Sequence, residues 1–130
     1  MGDYQPVYTG GAKPFTATTS AVVTGGQVLA QSGNGTVGVA GAASAIVVGV
    51  AAHDAPSGGK VAVWPLEGVV HELVAANAIT QGGGVQAAAT GQVDPATTSI
   101  AAAAALGTLI GTALTTAAGS PLKLRVQGRR

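Results

Sequence analysis

Glycine punctuates this chain at intervals too short for helices. Gly10-Gly11, Gly25-Gly26, Gly33-Asn34-Gly35, Gly58-Gly59 and Gly82-Gly83-Gly84 separate short, valine-rich runs. Strands run 4 to 8 residues and globular helices need about ten or more, so this rhythm predicts an all-β fold. Strands are expected near residues 14–19, 27–31, 36–40, 46–51, 60–64, 68–74, 84–88, 109–114 and 121–127. Asn34-Gly35, between Val28-Leu29-Ala30 and Val37-Gly38-Val39, predicts a hairpin with a type I′ turn, which needs positive φ at both central residues. Leu122, Leu124 and Val126 alternate with Lys123, Arg125 and Gln127, as a strand with one buried face requires. Lys60-Val61-Ala62-Val63-Trp64 alternates in the same way, and Pro65 either stops the ladder there or marks an edge strand.

The pattern repeats. Gly25-Gly26-Gln27-Val28 matches Gly82-Gly83-Gly84-Val85, and Gly35-Thr36-Val37 matches Gly91-Gln92-Val93. Val48-Gly49-Val50-Ala51 matches Ile110-Gly111-Thr112-Ala113, and Lys60-Val61-Ala62-Val63 matches Lys123-Leu124-Arg125-Val126, in the same order. The chain therefore reads as an internal duplication. Residues 94–108 form an insertion in the second copy, whose five consecutive alanines favour a short helix. Residues 1–13 contain Pro6 and Gly10-Gly11 without strand alternation and read as an extended N-terminal arm. One β domain is expected over 14–127, with a basic tail at 128–130.

Only 8% of the residues are charged and the net charge is +1, so copies of the chain repel one another weakly and tolerate close neighbours. Four basic groups and no acid lie in residues 123–130, against two basic and five acidic groups in the remainder. No aromatic platform accompanies this +4 cluster, so it reads as a solvated face or a contact with an acidic protein surface rather than a nucleic-acid site. Met1 to Pro6 lacks the basic start and apolar run of a signal peptide, which argues against export by that route. The uncharged run 100–118 contains Gly107-x-x-x-Gly111 and supplies the first alternative reading, a membrane span in a small membrane-associated protein. Eight of its 19 residues are alanine and four are threonine, a weak case for lipid.

Catalytic chemistry has little to work with. The absence of cysteine removes disulfides, thiolate metal sites and cysteine nucleophiles. His53-Asp54 and His71-Glu72 are adjacent in sequence, but strand neighbours point to opposite faces. They are expected to be surface turn and strand residues, with no catalytic role, cofactor or metal. Ser57-Gly58-Gly59-Lys60-Val61 lacks both the first glycine and the Ser or Thr of a phosphate-binding loop.

Tyr4-Gln5-Pro6-Val7-Tyr8, Val23-Thr24-Gly25-Gly26-Gln27-Val28, Val48-Gly49-Val50-Ala51-Ala52-His53-Asp54, Gly59-Lys60-Val61-Ala62-Val63, Gly68-Val69-Val70-His71-Glu72-Leu73 and the closing Leu122-Lys123-Leu124-Arg125-Val126 together resemble the capsid decoration, or cement, proteins of tailed bacteriophages. The resemblance covers most of residues 4–127. It implies a small β-barrel or β-tulip-like fold and a homo-oligomer, commonly a trimer, seated on the outer surface of a capsid lattice. The implied partner is the major capsid protein. On this view the protein is made in the bacterial host cytoplasm, stabilises the shell, is not an enzyme, and binds neither nucleic acid specifically nor membrane. Within it, residues 1–13 are expected to be mobile in the free protein. Tyr4, Pro6, Val7 and Tyr8 would contact the capsid or a neighbouring subunit, because tyrosine covers apolar area with few rotors to freeze.

Overall fold

The computed structural model describes residues 3–129; Met1 and Gly2 of the expected arm and Arg130 of the expected tail lie outside them. Ten strands form in chain order: β1 Phe15–Thr19, β2 Val28–Gly33, β3 Thr36–Val39, β4 Val47–Ala51, β5 Lys60–Trp64, β6 Val70–Val74, β7 Gly84–Ala87, β8 Val93–Pro95, β9 Gly111–Ala113 and β10 Lys123–Gly128. One helix, α1 Ile100–Leu106, follows β8. The first five strands close a barrel in the order β1-β3-β2-β4-β5, and the second five form a sheet in the order β6-β10-β9-β7-β8. All nine expected strands are present.

The duplication is written in the hydrogen-bond register. Leu29 pairs with Val39 and Gly49, and Val85 with Pro95 and Gly111. Val63 pairs with Phe15 as Val126 pairs with His71. The isolated bridge Val23↔Ala55 recurs as Ile79↔Ala117. The closing parallel pair Thr19↔Val37 recurs as Ala75↔Val93. Three of the four sequence blocks are matched in this register; the first is slipped by one residue. Gly26 (φ 90) and Gly82 (φ 83) are the true counterparts, each donating its N–H to the last alanine of the next equivalent strand, Ala51 or Ala113.

Glycine is obligatory at two matched places. A Cβ on Gly49 would strike the Trp64 carbonyl, and one on Gly111 the Gln127 carbonyl. Each copy therefore uses a bare backbone to let its fourth strand lie tight against its fifth.

Two cores result. Val23, Leu29, Val37, Ala51, Val61 and Val63 fill the first barrel. The larger core contains Leu66, Leu73, Ile79, Val85, Ile110, Leu124 and Val126 of the second copy, together with Val28, Val47 and Val50 from the opposite face of β2 and β4. Those two strands are thus buried on both sides, which is why they read as continuous valine runs rather than alternating ones.

The insertion begins later than expected. Asp94 and Pro95 belong to β8, opposite Gln86 and Val85. The offset between copies is 56 at Val37/Val93 (93 − 37) and 62 at Gly49/Gly111 (111 − 49), so the six extra residues fall within the α1 segment. Ser99 caps α1 by accepting from Ala102 N–H, and Gly107 ends it in the left-handed conformation. Ile100 then packs over Gly84 at the start of β7. The span reading of 100–118 is overturned: a seven-residue helix, a loop and β9 occupy it, and no helix among the described residues is long and apolar enough to cross a membrane.

The Asn34-Gly35 hairpin forms, but with a different turn. Only Gly35 of the pair takes positive φ, and the β2/β3 register shifts between Gln31 and Gly33. An extra β2 residue thus supplies a bulge in place of the type I′ geometry.

Candidate interaction surface

The two histidines have different surroundings. His53 is half-buried in the turn after β4; its Nδ1–H donates to the Asp54 carbonyl and its Nε2 accepts from Ala62 N–H. His71 departs from expectation. On the inner face of β6, it is only 1% exposed. Its Nε2–H donates to the Pro65 carbonyl (2.8 Å) and its Nδ1 accepts from the Tyr4 hydroxyl (2.7 Å). The same hydroxyl oxygen accepts from Glu72 N–H (3.2 Å). The rings of Tyr4 and His71 stack, with centroids 5.9 Å apart. Every polar atom of this buried cluster is thereby satisfied by neutral partners.

Burial holds the His71 pKa below its ordinary value and pushes that of Tyr4 up. A histidine depressed in the folded state binds its proton more readily when unfolded, so its contribution to stability is complete above the unfolded pKa of about 6.5 and is lost as pH falls below it. Between pH 7 and 5 the wild type should lose more thermal stability than His71→Gln, at up to about 1.4 kcal/mol per pH unit. Equal slopes in thermal melts of the two proteins would show that His71 is not buried neutral.

Tyr4 therefore pins the arm. Its N–H donates to Ala52 O in the first copy while its hydroxyl engages the second. Tyr8 and Val70 then exchange both backbone hydrogen bonds, so residues 7–8 add to the free edge of β6. The described part of the arm lies against the domain at Tyr4 and at residues 7–8. Tyr4 was expected at the contact surface but is turned inward; Pro6 is half-buried, and Val7 (45%) and Tyr8 (64%) remain exposed. In the second copy, Val74 and Gln92, counterparts of the paired Thr18 and Thr36, do not pair as strand neighbours. A cleft of about 420 Å³ opens there, lined by both residues and by Tyr4 and Glu72.

Register also assembles an outward face. Tyr8 lies opposite Val70, Val70 opposite Gln127, and Gln127 opposite Thr112, forming one row across the arm, β6, β10 and β9. Glu72 and Arg125 form the next row, extended by Leu114, whose N–H donates to Arg125 O. Val74 and Lys123 form the third. Leu114 is about half exposed, and the Arg129 guanidinium donates to Thr112 Oγ1 at the margin. Among the described residues, no group of three or more His, Cys, Asp or Glu side chains is placed to hold a metal ion. Aliphatic and cationic side chains thus share one outward face of the sheet.

A family profile described as phage cement protein matches residues 7–128. The chain belongs to the phage cement protein family. Membership makes the role of this cement protein structural, in association with a phage capsid, as the sequence resemblance implied. Among solved structures, the chain is similar to the head fiber gp8.5 N base in bacteriophage phi29, at 22% identity and a TM-score of 0.63, covering 91% of this chain and 97% of that one. At this identity the likeness concerns the fold. No curated protein matches.

Sequence reasoning placed Tyr8 and the basic strand at opposite ends of the chain without joining them. The missing signal is the Tyr8↔Val70 pairing, which the isolated valine pair Val69-Val70 does not announce.

Proposed function

We propose that this protein decorates the outer surface of a phage shell as a homotrimer, binds the major capsid protein, and stabilises the shell by mass action. A ligand that binds only the assembled shell favours that state, and many copies multiply the effect. It is made in the host cytoplasm and acts without catalysis, cofactor, nucleic acid or membrane. The observation that carries the reading is the exposure of Val7 and Tyr8 on a segment fixed by Tyr4, within a cement-family fold. A pre-positioned aromatic contributes area without paying to order a free arm.

Co-sedimentation with purified shells lacking the protein tests it. Val7→Ser/Tyr8→Ala should weaken binding by about tenfold or more, as removing a central aromatic does, while leaving the melting temperature nearly unchanged. Binding equal to wild type would move the contact away from residues 7–8. Light scattering on the free protein reports the trimer.

A further inference from the structure

The shared register gives each outward residue of the second copy a counterpart in the first. Where β10 presents Lys123, Arg125 and Gln127, β5 presents Lys60, Ala62 and Trp64. Where β6 has Glu72 and Val74, β1 has Thr16 and Thr18. The counterpart of Leu114 is Ala52: each donates its N–H to the equivalent carbonyl, Arg125 or Ala62.

The first-copy face carries the single cation Lys60, which is exposed, and uses part of its area within the chain. Lys60 Nζ donates to Thr18 Oγ1 at 2.7 Å, Ala52 O accepts from Tyr4 N–H, and Val50 is fully buried against the second copy. The second-copy face carries more cations. Lys123, Arg125 and Arg129 are all exposed; Glu72 is the acid within its rows and Asp3 lines the adjoining cleft with Glu72 and Lys123, so three cations against two carboxylates leave a local charge of +1. Tyr8 and Leu114 stand among them at 64 and 46% exposure.

We infer that the second copy is the half that meets the shell, and that its β6–β10–β9 face docks on an acidic protein surface bearing apolar side chains. This rests on the cement reading above and adds the orientation and chemistry of the contact. Cations set among aliphatic groups match a protein surface where carboxylates flank an apolar patch, and such complementarity fixes register and speeds encounter. A nucleic-acid strand would call for a row of stacking aromatics or a larger charge, and this face carries Tyr8 alone.

The test uses full-length protein and purified shells lacking it. Lys123→Glu/Arg125→Glu should reduce shell affinity by about 100-fold at 0.1 M salt and flatten its salt dependence. Lys60→Glu, the matching change in the first copy, should alter affinity by less than about twofold. Lys123→Arg/Arg125→Lys keeps the charge and should retain binding, separating charge from folding. A loss with Lys60→Glu as large as with the double reversal, or no loss with the reversal while wild type binds, overturns this inference and leaves the cement reading standing. Failure of the wild type to bind shells overturns both. Binding of short duplex DNA at 0.15 M salt that the double reversal abolishes would assign the face to nucleic acid instead.

Discussion

Tyr4→Ala should destabilise the free protein by about 3 kcal/mol, although the residue lies eleven positions before the first strand. The substitution removes a largely buried aromatic ring. It also leaves His71 Nδ1 and the Glu72 N–H without their partner, and an orphaned buried polar group costs about 1–3 kcal/mol. Tyr4→Phe keeps the ring and loses the hydroxyl, so its cost should be smaller, about 1–2 kcal/mol. Tyr8→Ala, which removes an exposed side chain, should fall within about 0.5 kcal/mol of wild type. Urea titration of the three variants reads this order. Tyr4→Ala with an unchanged midpoint would mean that the arm is not docked in solution.

Gly49→Ala and Gly111→Ala should each cost on the order of 3 kcal/mol, and by similar amounts. In both, the new methyl meets a backbone carbonyl of the neighbouring strand, and no rotamer change can move a carbonyl aside. The pair must separate or the ladder shift. Gly119→Ala is the control: nothing lies within 4 Å of its would-be Cβ, so it should stay within about 0.5 kcal/mol of wild type. Thermal unfolding measures all three. A severe Gly49→Ala beside a mild Gly111→Ala would deny that the two copies share one packing solution.

The strands were legible because glycine and valine alternate on the scale of a strand, and that local signal survives any tertiary arrangement. β8 was not: it has three residues, one of them Pro95, and its partner β7 settles its conformation more than its own composition does. The duplication was readable from Gly49 and Gly111, where close approach dictates the residue, but it slipped at Gly82-Gly83-Gly84, where three identical residues cannot report their own register. His71 was misplaced as a surface residue. The hydroxyl that satisfies it comes from 67 positions away, and no local pattern encodes such a partner. The same long-range contact seats Tyr4 of the arm against the domain. The contact residues themselves divide accordingly: the sequence shows that Tyr4 and Tyr8 are unusual in a chain with 3% aromatics, but not that one faces inward and the other outward.

The closure of the sheets bears on aggregation. A cement protein is concentrated at many copies on one lattice, and with a net charge of only +1 this chain has little repulsion to keep its copies apart in solution. Free strand edges would then template edge-to-edge polymerisation. The first barrel has no edge, because β1 returns to β3. In the second sheet, residues 7–8 cover β6 at Val70, and the Ala75↔Val93 bridge ties β8 back at its start. The backbone left for such templating is therefore short, confined to the stretch of β6 and β8 beside the cleft, and most of the remaining edge is already hydrogen-bonded inside each copy.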